Sequence, residues 1–144
     1  MTGIRLRPVE DADLPVFFEH QRDPESSAMA AVPARGRAAF ERHWAAIRRD
    51  ESTVLRTVLR DGEVAGNLLS WNQDGARRVG YRIGREHWGR GVASAALAAF
   101  LVELDERPLR ATVSPDNGAS RRVLEKCGFE PTGRDDELLH FELR

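Results

Sequence analysis

The stretch 79–94 constrains the fold most, because an apolar strand there runs through a glycine-spaced turn directly into a long helix. Gly89 and Gly91 lack a Cβ, so the backbone can turn tightly between them. The first amides of the helix, from Val92 onward, have no partner within the helix and point into the turn. A phosphate or pyrophosphate suits both these amides and the positive end of the helix dipole. The segment therefore predicts an anion-binding turn between a strand and a helix.

Composition and charge narrow the class of protein. The 144 residues are 41% hydrophobic, enough for one core, so we expect a single domain over 1–144. The formal net charge is -1 with both signs interspersed, which indicates neither a nucleic-acid partner nor a membrane surface. Cys127 is the only cysteine, and the N-terminus has no signal-peptide or transit-peptide pattern. We therefore expect an intracellular, cytoplasmic protein.

The first part of the chain predicts a strand and two helices. The strand lies near 4–7, and Asp11 can cap the helix that follows it. Phe40, Trp44 and Ile47 fall on one face of the second helix. These elements precede a region rich in strand-forming residues.

The rest of the chain predicts a meander followed by two strand–helix units. Three strands over 53–83 are joined by turns, of which Asp61-Gly62 is the strongest hairpin signal. The helix over 92–106 is apolar nearly all round, so it should lie largely buried. A short helix over 119–127 and three strands complete the chain, the strands lying at 109–113, 129–132 and 138–143. The order βααβββαβαββ predicts an α/β fold with a mixed, mostly antiparallel sheet and helices on both faces.

Three patches in this order carry a family resemblance: 4–7 with 11–14, the stretch 79–93, and 117–120 through 126–129. Strand, glycine turn, helix, strand, Asn-x-x-Ser helix and Gly-Phe are together far more specific than a lone G-x-G. On these residues the whole chain resembles the GCN5-related N-acetyltransferase (GNAT) family, and within it the branch of ribosomal-protein N-terminal acetyltransferases. The resemblance implies the GNAT fold, acetyl-CoA as co-substrate without a metal, and a small-molecule or peptide amine as acceptor.

The resemblance also implies a cofactor site. Pantetheine should pair with the backbone of Tyr81, Arg82 and Ile83 as an added β-strand would, and an amide at or beside Ile83 should hold the oxyanion. Asn117 should hydrogen-bond the pantetheine arm near the thioester. The pyrophosphate should rest on the amides of one continuous run, which consists of Trp88, Gly89, Arg90, Gly91, Val92, Ala93 and Ser94.

The general acid departs from the commonest family pattern. The tyrosine that often protonates the leaving thiolate falls seven residues after the asparagine, where this chain has Leu124. Some ribosomal-type relatives use a serine three residues after the asparagine, which makes Ser120 the candidate acid. Asn117 and Ser120 are thus the predicted catalytic residues, whereas Tyr81 is expected to be a packed sheet aromatic.

The acceptor site is expected between the loop after the first helix and the final hairpin. Its candidate contacts are Asp23, Glu25 and Trp71, with Met29 in the same loop. The two carboxylates favour a cationic acceptor, but a peptide N-terminus, a polyamine, an aminoglycoside and an amino acid all stay open. Because no base is evident, and about a tenth of α-amines but only ~0.04% of lysine amines are neutral at pH 7, the site favours α-amines.

Two other functions compete with acetyl transfer. The glycine turn could belong to a dinucleotide-binding oxidoreductase, although that fingerprint opens a first βαβ unit and here the turn follows a meander. The chain also lacks the tyrosine at position 124 and has no evident general base. These two features suggest the alternative that the protein is a catalytically inert acyl-CoA-binding module of the same fold. His20, His87 and His140 show no metal-ligand spacing with one another or with Cys127, so no metal site is expected. The oligomeric state stays open, a homodimer included.

Overall fold

A computed structural model of the chain describes residues 3–26 and 34–144. The strands are β1 (Ile4–Arg7), β2 (Val54–Arg60), β3 (Glu63–Gln73), β4 (Ala76–Ile83), β5 (Leu109–Val113), β6 (Glu130–Arg134) and β7 (Leu139–Leu143). The helices are α1 (Leu14–Arg22), α2 (Arg37–Arg49), α3 (Val92–Glu103) and α4 (Gly118–Lys126). Short 3-10 turns over Asp11–Asp13 and Arg85–His87 precede α1 and α3. None of the helices in these described parts of the chain is long and apolar enough to cross a bilayer.

The seven strands form one sheet in the order β1-β2-β3-β4-β5-β7-β6. Only the β4–β5 pair is parallel, and the other neighbours are antiparallel. This arrangement confirms the predicted mixed, mostly antiparallel sheet. The Asp61-Gly62 hairpin is also confirmed, since both residues have positive φ, 50° and 85°, as a tight two-residue turn requires. A second turn of this kind at Asp74-Gly75 extends the flanking strands beyond their predicted ends.

Helices cover both faces of the sheet, each over its own apolar cluster. The larger cluster joins the sheet to α3 and α4, with Leu68, Leu97 and Phe100 fully buried. The smaller cluster lies under α1 and α2 and is made of Phe17, Phe18, Phe40 and Trp44. The predicted apolar face of the second helix is thereby confirmed.

The predicted extent and burial of the long helix were wrong. Helix α3 ends at Glu103, where the Leu104 amide donates to the Phe100 carbonyl and the Leu104 side chain turns back into the core. Only one face of α3 is buried, while Val102 on the other face is 82% exposed. The outer face is largely alanine and valine, whose small side chains raise the apolar count without filling a core.

The N-terminal cap of α1 is Asp13 rather than the predicted Asp11. Asp11 is exposed and pairs with Arg48 at 2.8 Å. The buried Asp13 carboxylate accepts from both guanidinium nitrogens of Arg7, at 2.7 and 2.9 Å, and from the Thr57 hydroxyl at 2.6 Å. Burial raises the pKa of Asp13, but these bonds outweigh it and bring that pKa to about 2. This ionised group ties α1 to β1 and β2.

Candidate active site

The parallel strands β4 and β5 separate soon after they meet. Their register contains Arg77 opposite Leu109 and Arg78 opposite Arg110, and the pairing stops there although both strands continue. On its other edge β4 stays paired with β3 as far as Ile83. The separation opens a wedge in the sheet and leaves one edge of β4 facing that wedge. An extended ligand arm can add to such an edge as a strand would.

The glycine turn shapes the end of this wedge. Gly89 and Gly91 have φ of 72° and 74°, in the left-handed region that favours glycine. Gly91 is the N-cap of α3, and its carbonyl accepts the first helical bond from the Ala95 amide at 3.1 Å. The amides from Val92 to Ser94 therefore have no acceptor within the helix and are available to an anion.

Trp88 differs from the other predicted pyrophosphate contacts. Its amide donates to the Arg85 carbonyl at 3.1 Å within the 3-10 turn. Its indole Nε1 donates to the Ile83 carbonyl at 2.8 Å, which fixes the ring against the end of β4. Trp88 therefore contributes a wall of the site, and its amide is already used.

A groove of about 500 Å³ runs from the glycine turn along β4 to α4 and is called the cofactor groove here. A Cβ on Gly89 would meet no atom within 4 Å, so the space above the turn is open. Arg90 is exposed and does not line the groove. The predicted site residues that do line it are Tyr81, Arg82, Ile83, Trp88, Gly89, Gly91, Val92, Ala93, Ser94, Asn117 and Ser120.

A second cavity of about 420 Å³ lies between the sheet and helices α1 and α2 and is called the helix-side cavity here. Its walls include Phe17, Trp44 and Trp71. Four residues line both this cavity and the cofactor groove, namely Tyr81, Arg82, Asn117 and Ser120. The two spaces thus meet at these four residues.

Tyr81 and Ser120 form a close hydroxyl pair at this junction. The Tyr81 hydroxyl lies 2.6 Å from Ser120 Oγ, and either oxygen can be the donor. Burial raises the pKa of Tyr81 to about 12, against the opposing effect of the bond to Ser120. Asn117 caps α4, because its Oδ1 accepts from the Ser120 amide at 3.0 Å. The cap fixes the first turn of α4 and with it the serine hydroxyl.

The structure thus gives Tyr81 a position that sequence reasoning missed. The ring of Tyr81 packs against the larger cluster, as predicted, but its hydroxyl contacts Ser120, which was not predicted. The two hydroxyl residues are 39 positions apart and meet only because the fold brings the first turn of α4 beside Tyr81 of β4. The one available signal was that this tyrosine stands in the strand expected to contact pantetheine.

The predicted acceptor contacts divide between two places. Trp71 lines the helix-side cavity. Asp23 and Glu25 lie outside both that cavity and the cofactor groove, and their carboxylates pair with Arg85 at 3.5 and 2.9 Å. Met29 lies outside the described residues. The two carboxylates on which the prediction of a cationic acceptor was based therefore form ion pairs with Arg85.

A cluster of histidines and glutamates lies beside the 3-10 turn. His87 Nε2 is 3.4 Å from the Glu63 carboxylate and 3.8 Å from that of Glu86, while His20 Nε2 is 3.6 Å from Glu86. Burial lowers the pKa of His20. Within the described residues, Glu63, Glu86 and His87 bring ligand atoms within 4.8 Å of one another, close enough to hold an ion. Sequence spacing did not reveal this group because Glu63 lies at the start of β3, far along the chain from Glu86 and His87.

Comparisons with known proteins identify the family. A family model for the acetyltransferase (GNAT) domain matches residues 4–130. The uncharacterized N-acetyltransferase p20 of Bacillus licheniformis is 32% identical over 90% of this chain and 80% of that protein. The chain therefore belongs to the GNAT family of N-acetyltransferases. This membership sets aside the interpretation of the glycine turn as a dinucleotide site.

Solved structures share the fold at low sequence identity. Spermidine N-acetyltransferase from Vibrio cholerae, in complex with CoA and spermine, is 16% identical with a TM-score of 0.85, covering 99% of this chain and 96% of that one. The ribosomal α-N-protein acetyltransferase RimL, in complex with coenzyme A, is 16% identical with a TM-score of 0.82, covering 99% and 94%. The aminoglycoside acetyltransferase AAC(6')-Ib, also with coenzyme A, is 18% identical with a TM-score of 0.82, covering 97% and 94%.

Proposed function

We propose that this protein transfers the acetyl group of acetyl-CoA to a primary amine by direct attack of the neutral amine on the thioester. The observation that carries the proposal is that the cofactor groove and the helix-side cavity meet at Tyr81, Arg82, Asn117 and Ser120. A thioester at that junction is open to an amine from the other side of the sheet. The acceptor is a small molecule or a peptide, and the Asn-x-x-Ser pattern supports the ribosomal-type branch of the family.

The chain's own groups hold the acetyl donor in three places. The amides of Val92 to Ser94, at the positive end of α3, bind the pyrophosphate. The open edge of β4 pairs with the pantetheine amides, each bond contributing about 0.5 to 1.5 kcal/mol net. A backbone amide near Ile83 stabilises the oxyanion, and losing such a donor typically lowers the rate by ~10²-fold or more.

The reaction needs no covalent enzyme intermediate. The amine nitrogen forms a bond to the thioester carbon, the C–S bond breaks, and one proton passes in net from nitrogen to sulfur. The Tyr81–Ser120 pair supports departure of the sulfur by donating a hydrogen bond from Ser120. The pKa of Tyr81 is about 12, whereas the pKa of an ordinary thiol is near 8.5. Tyr81 therefore stays protonated and donates a hydrogen bond to the Ser120 hydroxyl, which in turn donates to the sulfur.

His43 is the candidate acceptor for the amine proton. It lines the helix-side cavity and is half-buried. Burial, and then the charge of Arg35, lower the pKa of His43, so its imidazole is neutral at pH 7 and can take a proton. The helix-side cavity thus supplies a base that the sequence alone did not indicate.

Two measurements test this function against an inert acyl-CoA-binding module. Calorimetry should show that acetyl-CoA binds and NAD does not, and thiol release with a panel of peptides, amino acids, polyamines and aminoglycosides should show turnover. Binding of acetyl-CoA without turnover of any amine would support the inert module. Failure to bind acetyl-CoA would overturn both interpretations.

A further inference from the structure

The helix-side cavity is lined by positive charge without any negative charge. Its positive charge comes from Arg35 and Arg82, since the lowered pKa of His43 leaves that imidazole neutral at pH 7. No aspartate or glutamate lines the cavity within the described part of the chain. The stretch 27–33 is not described, but it reads Ser-Ala-Met-Ala-Ala-Val-Pro and contains no carboxylate. The sequence of this stretch therefore offers no carboxylate that could serve as a counter-ion.

Arg82 is the more buried of the two arginines. It is half-buried, stands opposite Asn67 in the β3–β4 register, and donates to Ser26 Oγ at 2.6 Å. That bond is to a neutral hydroxyl, and no ion pair of Arg82 occurs among the described residues. Burial, and then the charge of Arg35, lower the pKa of Arg82. A half-buried cation beside a second cation is unfavourable until an anion joins them.

Arg35 is held at the mouth of the same cavity through its backbone. The Arg35 amide donates to Gln21 Oε1 at 2.7 Å, and Gln21 Nε2 donates back to the Arg35 carbonyl at 3.0 Å. Gln21 is 7% exposed, so the backbone of Arg35 is anchored on a buried side chain. The Arg35 side chain lines the cavity from this anchored position and has no carboxylate partner among the described residues.

Aromatic and aliphatic side chains form much of the remaining wall of the cavity, beside neutral polar residues such as Asn67 and Thr112. Phe17 is 1% exposed, its ring lies 5.1 Å from that of Trp44, and Trp71 forms part of the opposite, sheet-side wall. Such walls suit the hydrocarbon or aromatic body of a ligand, while the few polar groups fix its orientation.

We infer that the acceptor is a small amine that also carries a carboxylate, such as a short peptide or amino-acid-like molecule with an apolar side chain, and that Arg82 and Arg35 bind this carboxylate. The inference rests on the proposed acetyl transfer and names its substrate class. Polycationic amines such as spermine would meet two guanidinium groups and no carboxylate in this cavity. Arg82 is itself one of the four junction residues, so an anion that it binds leaves the amine of the same molecule near the thioester.

The test uses two acceptors that differ in charge alone. L-phenylalanyl-glycine and its C-terminal amide have the same α-amine environment, with a pKa of about 7.7 to 8.0 in both, so their neutral fractions match. Thiol release should give a kcat/KM about tenfold or more higher for the acid than for the amide, because a charge-assisted bond to arginine is lost in the amide. Spermidine and an aminoglycoside should be poorer acceptors than either peptide.

Variants assign the effect to Arg82. Arg82→Gln should lower the ratio of kcat/KM for the acid to kcat/KM for the amide about tenfold or more, and Arg82→Lys should restore part of that ratio. Arg49→Gln, an exposed change on α2, is the matched control and should alter neither acceptor. The Kd for acetyl-CoA should not change in any of these proteins, and thermal melts check that each variant folds.

The outcomes separate the acceptor class from the reaction. Equal or better acetylation of the amide or of spermidine would overturn the carboxylate inference while leaving acetyl transfer intact. A loss of acetyl-CoA affinity in Arg82→Gln equal to the loss with the acid would assign Arg82 to the cofactor and overturn its role here. If acetyl-CoA binds but no amine is acetylated, the proposed acetyl transfer is wrong. Calorimetry of the two peptides with CoA present then decides the inference on its own. Tighter binding of the acid than of the amide would support it, and equal binding would overturn it.

Discussion

Removing the hydroxyls of Tyr81 and Ser120 should lower the rate of the chemical step without weakening acetyl-CoA binding. The 2.6 Å contact between Tyr81 and Ser120 is short for two neutral hydroxyls, and we expect it to carry a proton towards the leaving sulfur. General acid assistance typically contributes 10²- to 10⁴-fold, so Ser120→Ala should lower kcat by about 10²-fold or more. Tyr81→Phe removes only the donor behind the serine and should lower kcat by about tenfold, equal to ~1.4 kcal/mol.

The two residues should act as a unit, which makes the double variant informative. If Tyr81 works through Ser120, the double variant should lose about as much activity as Ser120→Ala alone, since no serine remains to receive the effect. Single-turnover thiol release at saturating amine measures the chemical step, and calorimetry measures acetyl-CoA affinity separately. Thr132→Val removes an exposed hydroxyl in β6 and is the matched control.

The alkaline side of the pH profile reports whether Tyr81 loses its proton in the working range. Because burial raises the pKa of Tyr81 to about 12, this residue stays protonated and the wild-type rate should not fall between about pH 8 and about pH 10. Full activity of Ser120→Ala would refute the role of the hydroxyl pair in proton donation. So would a double variant whose loss in kcat is the product of the two single losses.

Three further predictions concern the cofactor turn, the base and the fold. Gly91→Val places a branched side chain at a φ of 74° over the start of α3 and should weaken acetyl-CoA binding by about tenfold or more; unchanged affinity by calorimetry would contradict the placement. His43→Gln should lower kcat/KM, and the wild-type rate should fall as pH drops through the lowered pKa of His43; an unaltered acid limb in the variant would exclude this base. The pKa of Asp13 falls from 3.8 to about 2 on folding, so its ionised form contributes about 2 kcal/mol at pH 7, and because the folded pKa is the lower one this is lost as pH falls from about 5 towards 1. Urea unfolding at pH 7 and at pH 3 should show about half of that loss in the wild type and less in Asp13→Asn, and equal pH dependence of the two proteins would count against it.

Features encoded by neighbouring residues could be predicted from the sequence. Asp61-Gly62 and the Gly89 to Gly91 turn each place glycine where a positive φ is required, and the structure has both. The alternation of the meander and the apolar face around Phe40 and Trp44 follow from side-chain periodicity alone. These local signals were enough to give the order of elements and the strand, turn and helix that form the cofactor groove.

Features that depend on distant residues could not be predicted in the same way. The hydroxyl pair of Tyr81 and Ser120 exists only once the fold brings the first turn of α4 beside β4, and no spacing rule joins positions 39 residues apart. The charge of Asp23 and Glu25 alone predicted a cationic acceptor, but both carboxylates pair with Arg85 in the 3-10 turn. Solvent exposure of Val102 likewise follows from where α3 lies and not from its composition.

The most direct test of the account is a crystal structure of the protein with acetyl-CoA bound. The diphosphate should lie on the amides of Val92 to Ser94, with pantetheine along the open edge of β4 and the thioester beside the hydroxyls of Tyr81 and Ser120. A cofactor bound elsewhere, or one whose thioester is closed off from the helix-side cavity, would contradict the account.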